Sequence, residues 1–509
     1  MNDFGILSLL PPILAIVLAF ITKNVLLSLF CGVFVGATMG AGWNPVLGLL
    51  DTMGKYIIPS MGDEWNAGVI LMTLFVGVFA AFLERGGGAT VFGESVQDKI
   101  KTRSSAQVST WLGGMLIFFS DSSNSVIVGP IFKPITDRVK VSREKLAYIC
   151  DSTAATVPSM IPITAWGALI MGIIKDFIPE DANVMSAFMK SVPYNLYTIS
   201  AILMVLYVAV TGFDFGPMRK AEKRAYEEGK VLADDAQPLK QEVIIEIPEG
   251  ATPSLWDMVI PLIVLIVSLF AVFRWTGRFP GKGFFEALSN ADSRLGLAVA
   301  FFLASIAASI MTKRSKVMTS KEIGETWTAG FSQMVDAILI LILSWSIGSV
   351  TVDVGTADFI VGVTKGVITP GVMLIAIFLS ACLTSFATGT SWGTFAIFLP
   401  IAIPIAIANN MPIYPAIGAS IAGGMFGDHC SQISDSTILA SFGANSDHLA
   451  HVKTQIPYAL VCAISSIIGF IVAAITNNPL LTVVTTLALM MIITYVLHTM
   501  DKKKEKSAA

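Results

Sequence analysis

The chain has 509 residues, of which 54% are hydrophobic and only 14% charged, with a mean hydropathy of +0.73. Charged residues make up near a quarter of a typical soluble protein, so this composition cannot cover a water-facing surface and excludes a string of soluble domains; the chain reads as integral to a lipid bilayer. The net charge of −3, with no basic face and no interleaving of basic and aromatic residues, argues against nucleic acid as a partner.

The N-terminus carries Asp3 and no basic residue before Lys23, so it lacks the basic region of a cleavable signal peptide and reads as the first span. Apolar runs of roughly 17–22 residues, enough to cross about 30 Å of hydrocarbon as helix, occur near 4–21, 25–41, 68–84, 194–211, 255–274, 294–312, 334–352, 455–476 and 479–499. Two longer stretches, 144–174 and 413–443, are interrupted by polar residues and cross once each. Two more, 105–136 and 370–408, carry polar centres and read either as long helices or as re-entrant hairpins.

Charge decides between those options. Arg85, Lys99, Lys101 and Arg103 precede 105–136, and Arg138, Lys140, Arg143 and Lys145 follow it, so both of its ends belong on the cytoplasmic side and the stretch must dip in and return. Counting onward places 212–254 and 313–328 inside and 175–193 and 275–293 outside. A second hairpin at 370–408 then keeps the basic tail Lys502, Lys503, Lys504 and Lys506 inside. The expectation is an all-α polytopic membrane protein of about 11 transmembrane helices plus two re-entrant hairpins, with its N-terminus outside and its C-terminus cytoplasmic. The charged segment 212–254 reads as a solvated linker between two halves.

The two halves repeat. Pro130 and Pro134 in GPIFKPI and Pro400 and Pro404 in LPIAIPI share a P-I-x-x-P pattern 270 residues apart. The same offset sets Thr164-Ala165-Trp166-Gly167 against Ser434-Asp435-Ser436-Thr437. With an odd number of crossings per half, the second half enters the membrane upside down; inverted repeats with discontinuous helices point to a secondary transporter with its site at the repeat interface. The organisation is therefore a first transmembrane repeat at 1–211, a cytoplasmic linker at 212–254, an inverted repeat at 255–476, and a final helix with a basic tail at 477–509.

Four polar clusters interrupt the apolar runs: 120–125 and 384–391 in the hairpins, 150–164 and 427–437 in the broken spans. A carboxylate at bilayer depth costs on the order of 3 kcal/mol on insertion scales, so such groups face a cavity or a partner and mark ion paths. Asp121, Asp151, Asp428 and Asp435 are the leading candidates. Asp151 has a second reading, neutralising Lys145 or Arg143, and His429 reads either as a pH-sensitive partner of Asp428 or as structural. Single hydroxyls in membrane helices also serve as glue between helices. Carboxylate, hydroxyl, amide and unwound carbonyl are hard oxygen ligands, suited to a hard cation. The ion- and substrate-binding candidates are Ser120, Asp121, Ser122, Asn124, Asp151, Thr153, Thr388, Gly389, Thr390, Ser391, Asp428, His429, Ser434, Asp435, Ser436 and Thr437, with Na⁺ itself at Asp121, Asn124, Thr390 and Asp435. Enzyme motifs are missing: there is no GxSxG, HExxH or Walker A sequence, and four histidines and five cysteines without a CxxC pair offer no metal or redox site. The chain is read as a carrier without a cofactor, whose ligands are the transported Na⁺ and H⁺.

The run Gly427-Asp428-His429-Cys430-Ser431-Gln432-Ile433-Ser434-Asp435-Ser436-Thr437, with Ala387-Thr388-Gly389-Thr390-Ser391-Trp392-Gly393-Thr394 upstream, resembles the NhaC-type Na⁺/H⁺ antiporters. Ser120-Asp121-Ser122-Ser123-Asn124 and Asp151-Ser152-Thr153-Ala154 resemble the first-half motifs, and the likeness covers roughly residues 10–475. It departs from the family at Gln432, where a Pro is usual. The resemblance implies the ion-transporter fold, in which hairpin tips and broken helices form the site, and a bacterial inner-membrane location. It also brings in relatives that exchange malate and lactate or carry amino acids. The reading is a Na⁺/H⁺ antiporter working by alternating access; the alternative is a Na⁺-coupled symporter or exchanger of an organic acid or amino acid, whose carboxylate the Thr388–Ser391 tip would hold. A homodimer is common among folds of this kind.

Overall fold

A computed structural model describes residues 4–508 apart from 23, 89–90, 92–99, 119–120, 179–182, 239–247, 249, 278–290, 357–358, 360–361 and 363–368. Ser120 therefore lies outside the described residues, as does the side chain of Ser122. Among the described residues the chain is helical, without a strand, and an isolated bridge joins Pro238 to Asp447.

The first half runs α1 (Leu10–Thr22), α2 (Val25–Gly40), α3 (Glu64–Arg85), α4 (Arg103–Leu116), α5 (Asp121–Arg138), α6 (Arg143–Ala154), α7 (Ala165–Ile174) and α8 (Leu196–Thr211). After α9 (Gly216–Lys223) in the linker come α10 (Trp256–Thr276), α11 (Ser293–Arg314), α12 (Ser320–Gln333), α13 (Val335–Asp353), α14 (Pro370–Thr388), α15 (Ser391–Ala408), α16 (Ile413–Cys430), α17 (Asp435–Gly443), α18 (His448–Thr476) and α19 (Pro479–Ala508). Nine helices among the described residues are long and apolar enough to cross a membrane, or eleven if each of two bent pairs counts as one span. That number agrees with the sequence reading, but the membership differs. Both arms of the second hairpin, α14 and α15, have span length by themselves, whereas the expected first span at 4–21 is a shorter apolar helix, Gly5–Ala19, and α16 falls short of the apolar criterion. The reason for the second difference is burial: α16 carries Gly423, Gly424, Gly427, Asp428 and His429, all enclosed by other helices, and a helix packed in protein need not be apolar toward lipid. The outer helices show the opposite pattern, with Ile263, Ile266, Val267 and Phe270 of α10 and Leu480, Val484, Ile492 and Val496 of α19 exposed to the surroundings.

The repeat is visible in the helix bounds. Asp121 and Ser391 open α5 and α15, and Arg138 and Ala408 close them; Arg143 and Ile413 open α6 and α16; Ala165 and Asp435 open α7 and α17. Every one of these pairs is separated by the 270 residues that separate Pro130 from Pro400. Prolines are tolerated in α5 and α15 because neighbouring packed helices can re-satisfy the backbone groups that they leave free. Packing is crossed between the halves: α5 lies on α17, and its equivalent α15 lies on α7. The α5–α17 approach is close enough that a side chain on Gly129 would meet the backbone of Gly443, so small residues set this inter-half distance.

The linker is docked rather than merely solvated. Lys145 on α6, fully buried, pairs with Asp214, whose Oδ1 also accepts the Tyr458 hydroxyl at 2.6 Å. Glu222 of α9 pairs with Arg103 and accepts the Ser142 amide at 2.8 Å, and Arg224 reaches Glu144 at 2.9 Å. Removing one member of a buried pair strands the other, at a cost of about 3–5 kcal/mol. Lys145→Met is therefore expected to lower the melting temperature in detergent clearly, and Asp214→Asn in the same chain to restore part of it. Unchanged melting in the single variant would show the pair to be dispensable.

Candidate functional site

The second hairpin and the second broken span meet at one carboxylate. Asp428 stands on the last turn of α16, where its Oδ2 accepts the Ser391 hydroxyl at 2.6 Å and its Oδ1 accepts the Ser434 hydroxyl at 2.6 Å. Ser391 opens α15 and Ser434 precedes α17, so this group ties the hairpin tip to both pieces of the broken span. Ser436 Oγ lies 3.0 Å from Ser434 Oγ and extends the hydroxyl row. Gly389 ends α14 with φ +70°, and a Cβ there would run into the carbonyl of Ile433; only glycine combines that left-handed turn with that approach.

Asp151 lies behind this junction, wholly buried on α6. Its Oδ2 accepts Thr437 Oγ1 at 3.0 Å and Gln455 Nε2 at 2.6 Å, while its Oδ1 has no hydrogen-bond partner among the described residues. The same Thr437 Oγ1 lies 3.4 Å from the Asp428 carbonyl, so the first half contributes Asp151 directly to the second half's break. Lys145 and Arg143 pair instead with Asp214 and Asp137, which removes the reading of Asp151 as their counter-ion.

In front of Asp428 opens a cavity of about 440 Å³. Five acidic side chains line it, Glu84, Asp121, Asp336, Asp428 and Asp435, together with Gly389, Thr390, Ser391, Ser436, Trp166 and Trp392, and no lysine or arginine is among the described lining residues. Asp121 and Asp435 are the first residues of α5 and α17, where the positive end of the helix dipole favours a negative charge. The wall thus joins both hairpins and the second broken span.

Several sequence candidates are placed elsewhere. Asn124, fully buried, donates from Nδ2 to the carbonyls of Gly114 at 2.7 Å and Ile117 at 3.1 Å, closing the C-terminal end of α4 rather than lining the cavity. Thr153 bonds back to the Ile149 carbonyl at 3.0 Å, and Thr388 to the Thr384 carbonyl at 2.9 Å, both within their own helices. His429 has Nε2 at 2.9 Å from the Ser152 hydroxyl and Nδ1 at 2.7 Å from the Tyr197 hydroxyl, with Tyr148 stacked on the ring, so it faces away from Asp428. Conversely, Glu84 and Asp336, at the ends of the apolar runs 68–84 and 334–352, and Gln455 are not among the sequence candidates. Gln455 is the polar first residue of the apolar run 455–476, and in the structure α18 begins seven residues earlier, at His448, which places that amide two turns inside a helix.

The chain matches the model of the Na⁺/H⁺ antiporter family over residues 158–475. It is 33% identical over 492 residues to an uncharacterised protein of Haemophilus influenzae, covering 93% of this chain and 92% of that one. A malate-2H⁺/Na⁺-lactate antiporter of Bacillus subtilis is 30% identical over 155 residues, 30% of this chain and 33% of the relative. Among solved structures, the YdaH transporter of Alcanivorax borkumensis, described as having an unusual topology, superposes with a TM-score of 0.54 at 14% identity, covering 85% of this chain and 90% of that one. That likeness is one of fold.

Proposed function

The chain belongs to the Na⁺/H⁺ antiporter family and is a secondary transporter that spans the membrane many times, and we propose that it exchanges Na⁺ for H⁺ by alternating access with the acidic cavity as its ion site. The observation that carries this reading is the cavity's charge: five carboxyl groups and no lysine or arginine among the described lining residues. A hard cation suits such a wall, and a carboxylate that holds Na⁺ cannot hold a proton at the same time, so competition for one group yields exchange. Asp121, Thr390 and Asp435 are assigned as Na⁺ ligands, with Asp428 as the group that alternates between Na⁺ and H⁺ and Asp151 as its buried neighbour through Thr437. Asn124 holds the first hairpin tip rather than the ion. Glu84 and Asp336 draw cations toward the site, since unit charges 4 Å apart still interact by about 4 kcal/mol at an effective dielectric of 20. No cofactor enters this scheme.

The same wall repels an organic acid, so exchange of a carboxylate of the kind carried by the Bacillus subtilis relative is the less favoured reading. The basic tail and the linker are assigned to the cytoplasm and the N-terminus to the outside, in an inner or plasma membrane. One reconstitution tests the proposal. In liposomes holding a pH-sensitive dye and no organic solute, a Na⁺ pulse is expected to move protons in the opposite direction. Proton movement that appears only after malate, lactate or an amino acid is added would refute it.

A further inference from the structure

A chain of hydrogen bonds leads from Asp151 away from the acidic cavity to the face on which the linker docks. Gln455 Nε2 donates to Asp151 Oδ2 at 2.6 Å and to the His429 carbonyl. These two acceptors pin the amide, so its Oε1 faces His451 Nε2 at 2.8 Å, and because an amide oxygen accepts, that nitrogen carries a hydrogen. At the far end the Gln432 carbonyl lies 2.8 Å from His448 Nε2, so this nitrogen carries its hydrogen as well. A neutral imidazole has a single N–H. Both Nδ1 atoms are then bare acceptors, and both point at one hydroxyl: Ser441 Oγ, 2.8 Å from His451 and 3.0 Å from His448. Ser441 has one hydrogen, for which the Thr437 carbonyl at 2.9 Å also competes.

With both rings neutral, one nitrogen lone pair faces an oxygen lone pair. One added proton removes the conflict. His448 as an imidazolium donates to Gln432 and to Ser441, Ser441 donates to His451, His451 to Gln455, and Gln455 to Asp151. We propose that His448, Ser441 and His451 form a proton-binding site, distinct from the acidic cavity, whose occupancy is transmitted to Asp151 through Gln455. His448 takes the proton because it is only half-buried, whereas His451 is fully buried. The bonds from His451 to Gln455 and from Gln455 to Asp151 run the same way without the proton; what the proton adds is a donor and a positive charge at the far end, and each bond polarises the next toward Asp151.

Among the described residues the charged groups around the trio are few. Asp447, one residue before His448, caps α18 and accepts the linker amide of Gln237 at 2.8 Å. Arg143 on α6, paired with Asp137 on α5, donates to the Ala444 carbonyl at 2.9 Å. Gln455 reaches the His429 carbonyl on α16 and the Asp151 carboxylate on α6. The consequence is that acid on the linker face promotes exchange.

This inference rests on Asp151 taking part in exchange, and two measurements separate the two ideas. In proteoliposomes of one orientation, Na⁺ flux is followed against pH on the linker face. His448→Gln, which cannot take up a proton, is expected to lose the activation by acid and to stay at the alkaline flux of the wild type, whereas His448→Arg, permanently charged, should stay active at every pH. A wild-type profile in both variants overturns the proposal. Nitrogen NMR of the full-length protein with labelled histidine reads the proton itself: as the linker face is acidified, His448 should come to carry hydrogen on both ring nitrogens, and a His448 that stays neutral throughout overturns the proposal even if the variants fail to fold. Absence of any Na⁺-driven proton movement in the wild type would instead refute the exchange reading, and the NMR result would stand by itself.

Discussion

Asp428→Asn is expected to abolish Na⁺-driven proton movement while leaving the protein folded. The argument separates charge from geometry. Both carboxylate oxygens of Asp428 accept hydroxyl hydrogens, from Ser391 and from Ser434. A serine hydroxyl donates or accepts equally well, so one of the two can turn to accept from the new amide, and the tie between hairpin tip and broken span survives. What disappears is the group able to hold either a cation or a proton. Losing a buried charge interaction of about 3 kcal/mol corresponds to about 100-fold in binding, and flux at low Na⁺ should fall by at least that factor. Flux in liposomes and melting in detergent are read on the same preparation. Flux above about a tenth of wild type would remove Asp428 from the ion path, and a collapse of melting would mark it as structural instead.

Asp151→Asn should separate activity from stability in a different way. Asp151 is wholly buried, and only one of its two oxygens has a partner among the described residues. An ionised carboxylate in that setting costs several kcal/mol of desolvation, and the amide removes that cost. It keeps an oxygen for Thr437 and Gln455, and its new N–H, placed where Oδ1 was, costs about 1–3 kcal/mol if nothing accepts it. The melting temperature is expected to hold or rise while exchange is lost. This is the reverse of Lys145→Met, in which the substitution strands a charge instead of removing one. A less stable but fully active Asp151→Asn variant would make this residue an anchor and not an ion carrier.

Much of this architecture is written locally. Span lengths follow from runs of apolar residues, and Pro130, Pro134, Pro400 and Pro404 together with the polar breaks betray a 270-residue repeat that the helix bounds then follow. Glycine at 389 marks the hairpin tip because a left-handed turn is a property of a single residue. Composition also located the acidic candidates, since a carboxylate in an apolar run is costly wherever the run folds.

Which of those candidates share a cavity was not legible. Glu84 and Asp336 sit at the ends of apolar runs, where a carboxyl group facing a cavity and one facing water look alike in sequence; only the packed helices bring them to the wall with Asp121, Asp428 and Asp435. Asn124 looks like an ion ligand among hydroxyls until the end of α4 appears beneath it and takes its amide hydrogens. The bonds of Asp151 to Thr437 and Gln455 cross 286 and 304 residues of chain, and that between Ser152 and His429 crosses 277. Composition and periodicity determined that this protein is a membrane carrier of repeated halves, because partition into lipid and helix formation depend on near neighbours along the chain. The tertiary structure alone decided which oxygens line the acidic cavity and which hold the fold, because a hydrogen bond depends on distance in space and is indifferent to distance in sequence.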